Sequence, residues 1–87
     1  MVPENITREH ILQAATHIDK HGYPDIRRPT TYYVIVNGKH YPPKYIISKA
    51  NEFANGEELH PYRFSYSQAL RCLERLGFRI EPMRENP

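Results

Sequence analysis

The run Thr31-Tyr-Tyr-Val-Ile-Val36, followed by Asn37-Gly38 and then Lys39-His40-Tyr41, constrains this chain more than any other segment. β-Branched and aromatic residues favour extended backbone, and Asn-Gly readily accepts the two positive φ angles of a type I′ turn, so the spacing predicts a tight hairpin. A hairpin alone is marginal in water and needs helices or a third strand to cover it. Phe78-Arg79-Ile80-Glu81 alternates apolar and polar residues and is expected to be that strand. Alternation along the first strand puts Tyr32, Val34 and Val36 on one face and Tyr33 and Ile35 on the other, so at least one of the two tyrosines is expected in the core.

Three helices are expected around this sheet. Thr7 caps a run in which Ile11, Leu12, Ala15 and Ile18 recur at helical spacing, with Ile6 and Ile11 placed for a hydrophobic staple. Gly22 and Pro24 end it near Lys20 to His21. Residues 22–30, with Arg27-Arg28-Pro29, read as a solvated connector. Pro42-Pro43 starts a second helix, expected to bury Ile46, Ile47, Ala50, Phe53 and Ala54 and to close at Asn55-Gly56. Glu57 to Phe64 is an irregular connector. Ser65 and Gln68 form a capping box for the last helix, whose stripe is Ala69, Leu70, Leu73 and Leu76. The fold expected is therefore α+β, three helices on a small, mainly antiparallel three-stranded sheet in the order αββααβ. Residues 1–81 form the domain, and 82–87 a tail or the start of a linker to a further domain.

At 87 residues the chain has room for one core, worth about 3–5 kcal/mol net, and little room for a deep substrate cavity, which weighs against a self-sufficient enzyme. The one cysteine, Cys72, excludes an internal disulfide and a cysteine-based metal cluster. It falls between Leu70 and Leu73, where a small core or boundary residue fits better than a reactive thiol. No apolar run resembles a signal peptide or membrane span, so the expected location is cytoplasmic. His10, His17 and His21 lie on the first helix, His17 and His21 on one face of it, but a zinc site needs three or four converging ligands; His40 and His60 are isolated in a strand and a loop. There is no glycine-rich phosphate loop, no nucleophile elbow and no paired carboxylates at a convincing spacing. No cofactor and no catalytic residue is implied.

Nucleic-acid binding fits better. The net charge is +2, from 12 Lys and Arg against 10 Asp and Glu. The connector between the second and third helices is too long for a helix-turn-helix, and the hairpin precedes those helices, unlike a winged-helix wing. What remains is a distribution of long basic side chains able to reach phosphates: Arg71 and Arg75 on the last helix, Lys44 and Lys49 on the middle one, Lys39 at the hairpin, and Arg27 and Arg28 in the loop. On charge alone, solubilising residues paired with Glu74, Glu52 and Asp25 fit equally well. An exposed tyrosine among the seven would be able to stack on an unpaired base.

Taken together, Ile6-Thr-Arg-Glu-His-Ile-Leu-Gln-Ala14, Tyr33-Val-Ile-Val-Asn-Gly-Lys-His-Tyr-Pro-Pro-Lys-Tyr-Ile-Ile47, Ala54-Asn-Gly-Glu-Glu-Leu59, Phe64-Ser65 and Leu73-Glu-Arg-Leu-Gly-Phe-Arg-Ile80 carry a resemblance. The chain resembles, from about Ile6 to Glu81, the small N-terminal head domain of McrA-like HNH endonucleases and related modification-dependent restriction proteins. The matching positions are Tyr41, Lys44, Gly56, Leu59, Phe64, Ser65, Leu76, Gly77 and Phe78. Lys44 stands out, because a lysine on the first turn of a helix opposes the helix dipole and is better retained against a phosphate or a buried acceptor. Tyr66 departs from the glycines common after the Phe-Ser pair, where a side chain either blocks a nucleic-acid backbone or stacks on it. The resemblance implies a non-catalytic module of a restriction system, with cleavage in a separate HNH or similar domain. It would contact duplex DNA mainly through phosphates, either as a nonspecific clamp or as a reader of modified cytosine, or else serve as a protein-interaction or dimerisation head beside other domains or subunits. The DNA-contacting residues expected are Lys44, Arg71, Arg75, Lys39, Arg28 and Tyr66.

Overall fold

The computed structural model describes residues 1–83, and the remainder of the expected tail lies outside the described residues. Thr7 caps helix α1 (Arg8–His21) by accepting from the His10 amide, and the His10 ring accepts in return from the Thr7 amide. The capping box is thus closed by a histidine in the place where glutamate or glutamine is usual. Strands β1 (Tyr32–Val36) and β2 (Lys39–Tyr41) form the expected hairpin. Asn37 and Gly38 both hold positive φ, at 52° and 79°, as a type I′ turn requires. Helix α2 (Pro43–Asn55) follows at once, then α3 (Tyr66–Arg75), whose Ser65–Gln68 capping box is present as expected. Strand β3 (Arg79–Pro82) pairs antiparallel with β1, placing Val34 opposite Ile80, while Val34 faces Tyr41 on the other side. The sheet order is β2-β1-β3, so the hairpin's first strand is central. The sequence order of helices and strands is the expected one, with two short 3-10 turns, Asp25–Arg27 and Pro61–Arg63, inside the segments read as loops.

Helix α2 is the centre of the molecule. It packs on α1, α3, β1 and the second 3-10 turn, and every residue from Tyr45 to Asn51 is buried. A helix buried all round must satisfy its polar side chains internally. Ser48 donates to the Leu59 carbonyl at 2.7 Å, Asn51 donates to the Glu57 carbonyl at 2.8 Å, and Lys49 reaches Glu52 and Glu58, each at 2.9 Å. The irregular connector after α2 is thereby fastened to the helix it leaves.

Several expectations need correction. Phe53 is 42% exposed, because the last turn of α2 runs past the core; its ring stands edge-to-face with that of His17, with centroids 6.4 Å apart. Ala54 is half-buried. On α3 the buried residues are Ala69, Cys72 and Leu73, while Leu70 and Leu76 are only half-buried. Neither Tyr32 nor Tyr33 is fully buried; Val34, Val36 and Tyr41 carry the inward face of the hairpin. Arg27 is no solvated loop residue. Its guanidinium lies over the Tyr45 ring at 5.0 Å and donates to Ser48 Oγ at 2.8 Å. No helix among the described residues is long and apolar enough to cross a membrane.

Candidate nucleic-acid interface

Prolines shape the side of the molecule where the basic residues gather. Pro24 and His60 hold extended backbone just before the two 3-10 turns, the second of which opens on Pro61, and Pro42 does the same before Pro43 starts α2. The His60 ring accepts from the Tyr62 amide at 3.2 Å and caps the second turn. Between these turns lies a groove of about 410 Å³. One wall is Ile26 to Thr30, the other is His60 to Tyr62, and Pro42, Pro43, Lys44 and Tyr66 complete the lining.

Lys44 lines this groove and the concavity next to it. Its ammonium donates to the carbonyls of Pro61 at 2.6 Å and Phe64 at 2.7 Å and lies 4.6 Å from the centre of the Phe64 ring. The lysine on the opposing end of a helix dipole thus has buried acceptors, one of the two explanations its position called for. These partners are neutral. Burial, and then the charge of Arg27, push the Lys44 pKa below its ordinary value. Burial likewise lowers Arg27, with Glu58 and Tyr45 pulling more weakly the other way.

Two further concavities continue from the groove. The second shares Lys44, Pro61 and Tyr62 with it and adds Arg63, Phe64, Ser65 and Gln68. The third shares Met1 and Gln68 with the second and adds Arg71 and Arg75. Together they form a track from Arg27 and Arg28, past Lys44 and Arg63, to Arg71 and Arg75. Among the described residues, no aspartate or glutamate lines any part of it. Nor does any of its six basic side chains form a salt bridge among the described residues. The helices that open on it, α2 and α3, have no acidic residue in their first turns, so their positive ends add to the same potential.

The structure therefore brings Arg28, Lys44, Tyr66, Arg71 and Arg75 to one continuous surface. Tyr66 has a second task there, since its hydroxyl accepts from the Tyr32 amide at 2.9 Å and donates to the Tyr32 carbonyl at 3.1 Å, tying α3 to β1. Lys39 stands apart. It pairs with Asp19 at 3.3 Å, and Asp19 also accepts from the buried Tyr41 hydroxyl at 2.6 Å. Of the acid pairings weighed from charge alone, only Lys49 with Glu52 forms.

Sequence reasoning passed over His60, Tyr62, Ile26 and Arg63. The available signal was the proline spacing: a proline before each short polar segment marks a stiff turn, and Tyr62 on such a turn has no strand or helix to bury it. The His17 and His21 rings lie 4.5 Å apart, but no group of three or more His, Cys, Asp or Glu among the described residues is placed to hold a metal. Cys72 is buried, and burial raises its pKa, so the thiol is held protonated rather than activated.

No curated protein and no solved structure matches the chain. One family does, described as ScoMcrA-like, N-terminal head domain, over residues 4–82. That span runs from before the Thr7 cap to the last residue of β3 and takes in the whole acid-free track apart from Met1 and Val2; the chain belongs to the family of ScoMcrA-like N-terminal head domains.

Proposed function

We propose that this domain is a non-catalytic DNA-binding module of a modification-dependent restriction endonuclease, contacting duplex DNA mainly through backbone phosphates along the track from Arg28 to Arg75. The observation that carries this reading is that no carboxylate among the described residues lines a surface that gathers six basic side chains. Lys44, half-buried and held by neutral carbonyls, keeps its positive charge unneutralised, and a phosphate supplies what the protein withholds. Membership of the head-domain family supports the restriction context, and on this reading cleavage lies in another domain. Reading of modified cytosine belongs to the same proposal, because the groove beside Lys44 is lined mainly by proline, isoleucine and tyrosine, which suit a methyl group.

Fluorescence anisotropy of matched unmodified, 5-methylcytosine and 5-hydroxymethylcytosine duplexes, each at two salt concentrations, tests it. Affinity should fall steeply with salt on every duplex, and a preference among them reports base reading. An affinity indifferent to salt overturns the phosphate reading.

A second reading, a protein-interaction or dimerisation head, draws on Ile26 and Tyr62, which are 91% and 94% exposed on opposite walls of the groove. It expects a salt-tolerant oligomer in place of salt-sensitive DNA binding.

A further inference from the structure

A phosphate needs cations and hydrogen-bond donors; it has no use for the apolar walls of the groove beside Lys44. Those walls carry Ile26 and Tyr62, side chains almost wholly in water, where large apolar surface is costly to leave uncovered. Tyr62 is exposed yet held in place. Its amide bonds to His60 Nδ1 at 3.2 Å, and its ring rests against the imidazole with centroids 5.1 Å apart. The half-buried Pro29, Pro61 and Tyr66 add apolar surface to the lining, which also holds Arg28 and Lys44. Flat apolar faces beside cations in a cleft of about 410 Å³ match one nucleotide, the base between the walls and its phosphate at the positive end. In an intact duplex a base enters such a cleft only by leaving its stack and its pair, a cost that a gap, a bulge or a single strand does not carry.

We propose that the groove is a subsite for a single unstacked nucleotide, so that the domain favours DNA with single-stranded character, such as a gap, a bulge or a frayed end, over uninterrupted duplex. This rests on the DNA-binding reading above and adds where on DNA the module settles. The preference runs against simple electrostatics, since single strands release fewer counterions per phosphate neutralised than duplex, with salt slopes of about 0.7 against 0.9. A preference for unpaired DNA thus reports on the groove and not on the charge track alone.

The test is anisotropy of the 87-residue chain with three labelled DNAs of equal length at one low salt concentration: a mixed-sequence single strand, the intact duplex, and that duplex carrying a short unpaired bulge. The single strand and the bulged duplex should bind roughly five- to tenfold more tightly than the intact duplex. Tyr62→Ala, at a site too exposed to affect folding, should erase this difference and leave duplex affinity within about twofold, while Tyr62→Phe keeps the difference because it keeps the ring. Equal or tighter binding of the intact duplex overturns the proposal, as does a Tyr62→Ala variant weakened equally on all three. Binding to none of them removes the DNA reading itself, and this subsite with it.

Discussion

Lys44 and Lys49 lie on one helix and are both withdrawn from water, yet their surroundings differ in kind. Lys49 is clamped between two carboxylates at 2.9 Å, with its side chain 7% exposed and Glu52 and Glu58 each a little over 40% exposed. Burial alone would lower its pKa, but the Glu58 and Glu52 carboxylates outweigh burial and hold it above the ordinary lysine value. Lys44 has two backbone carbonyls, an aromatic face and a neighbouring arginine, and its pKa falls. The first arrangement is electrically complete and fastens the connector to α2. The second leaves net positive charge facing a groove. Burial of a cation is therefore no guide to its role; the charge of its partners is.

Variants break this comparison at different points. The largest effect on binding is expected from replacing Arg28, Arg71 and Arg75 together with alanine. Duplex affinity should drop at least roughly tenfold, and the slope of log K against log salt should shrink by about 2 to 3, near 0.9 for each phosphate no longer neutralised. Stability should stay within about 0.5 kcal/mol by thermal unfolding, since all three are exposed. The largest effect on stability is expected from Lys49→Ala. It strands two carboxylates and removes a buried stem, at a cost of about 2 kcal/mol, below the usual figure for a buried pair because both glutamates are half in solvent. The melting temperature should fall by roughly 10 °C while DNA affinity is unchanged.

Lys44→Met falls between the two. It deprives the Pro61 and Phe64 carbonyls of their donor, which costs about 1–2 kcal/mol, and it removes one charge from the track, so duplex binding should weaken a few-fold. A variant that loses stability and keeps full affinity would class Lys44 with Lys49.

The smallest effects are expected at Asp19, Lys39 and Tyr41. Lys39→Ala removes an exposed ion pair and should leave the melting temperature nearly unchanged and DNA affinity within about twofold. Burial and the Asp19 hydrogen bond raise the Tyr41 pKa from 10.0 to about 12, so its contribution to stability is full below pH 10 and is lost as pH rises towards 12. The same bond, followed by Lys39, lowers the Asp19 pKa from 3.8, and that contribution is lost as pH falls through the acid range. In Tyr41→Phe the alkaline decline should flatten, as read by chemical denaturation across pH.

The fold was legible where local chemistry speaks loudly. Asn37-Gly38 fixed the hairpin, Thr7 and Ser65 fixed two helix starts, and Gly22 and Gly56 fixed two ends. Phe53 was misjudged because helical periodicity says which side faces the core and not where the core stops. His10 escaped notice as a capping residue because imidazole rarely takes that place. The basic residues of the candidate site, Arg63 apart, were legible one at a time, but their confluence was not. Arg28, Lys44 and Arg71 belong to three separate segments, and only the packing of α2 between the two 3-10 turns and α3 aligns them. That no acid interrupts the alignment is a property of the surface, invisible in a chain where Glu57-Glu58 stand close by in sequence.

The central claim is that the acid-free track is the DNA-binding surface, and amide chemical-shift mapping reads it directly. On titration of the ¹⁵N-labelled chain with a short duplex at low salt, shifts should follow Arg27 to Thr30, Lys44, His60 to Gln68, Arg71 and Arg75. Asp19, Lys39, Lys49 and Glu52 should stay silent. Shifts centred on α1 and the Lys49 side of α2, or spread evenly over all basic residues, would contradict the account.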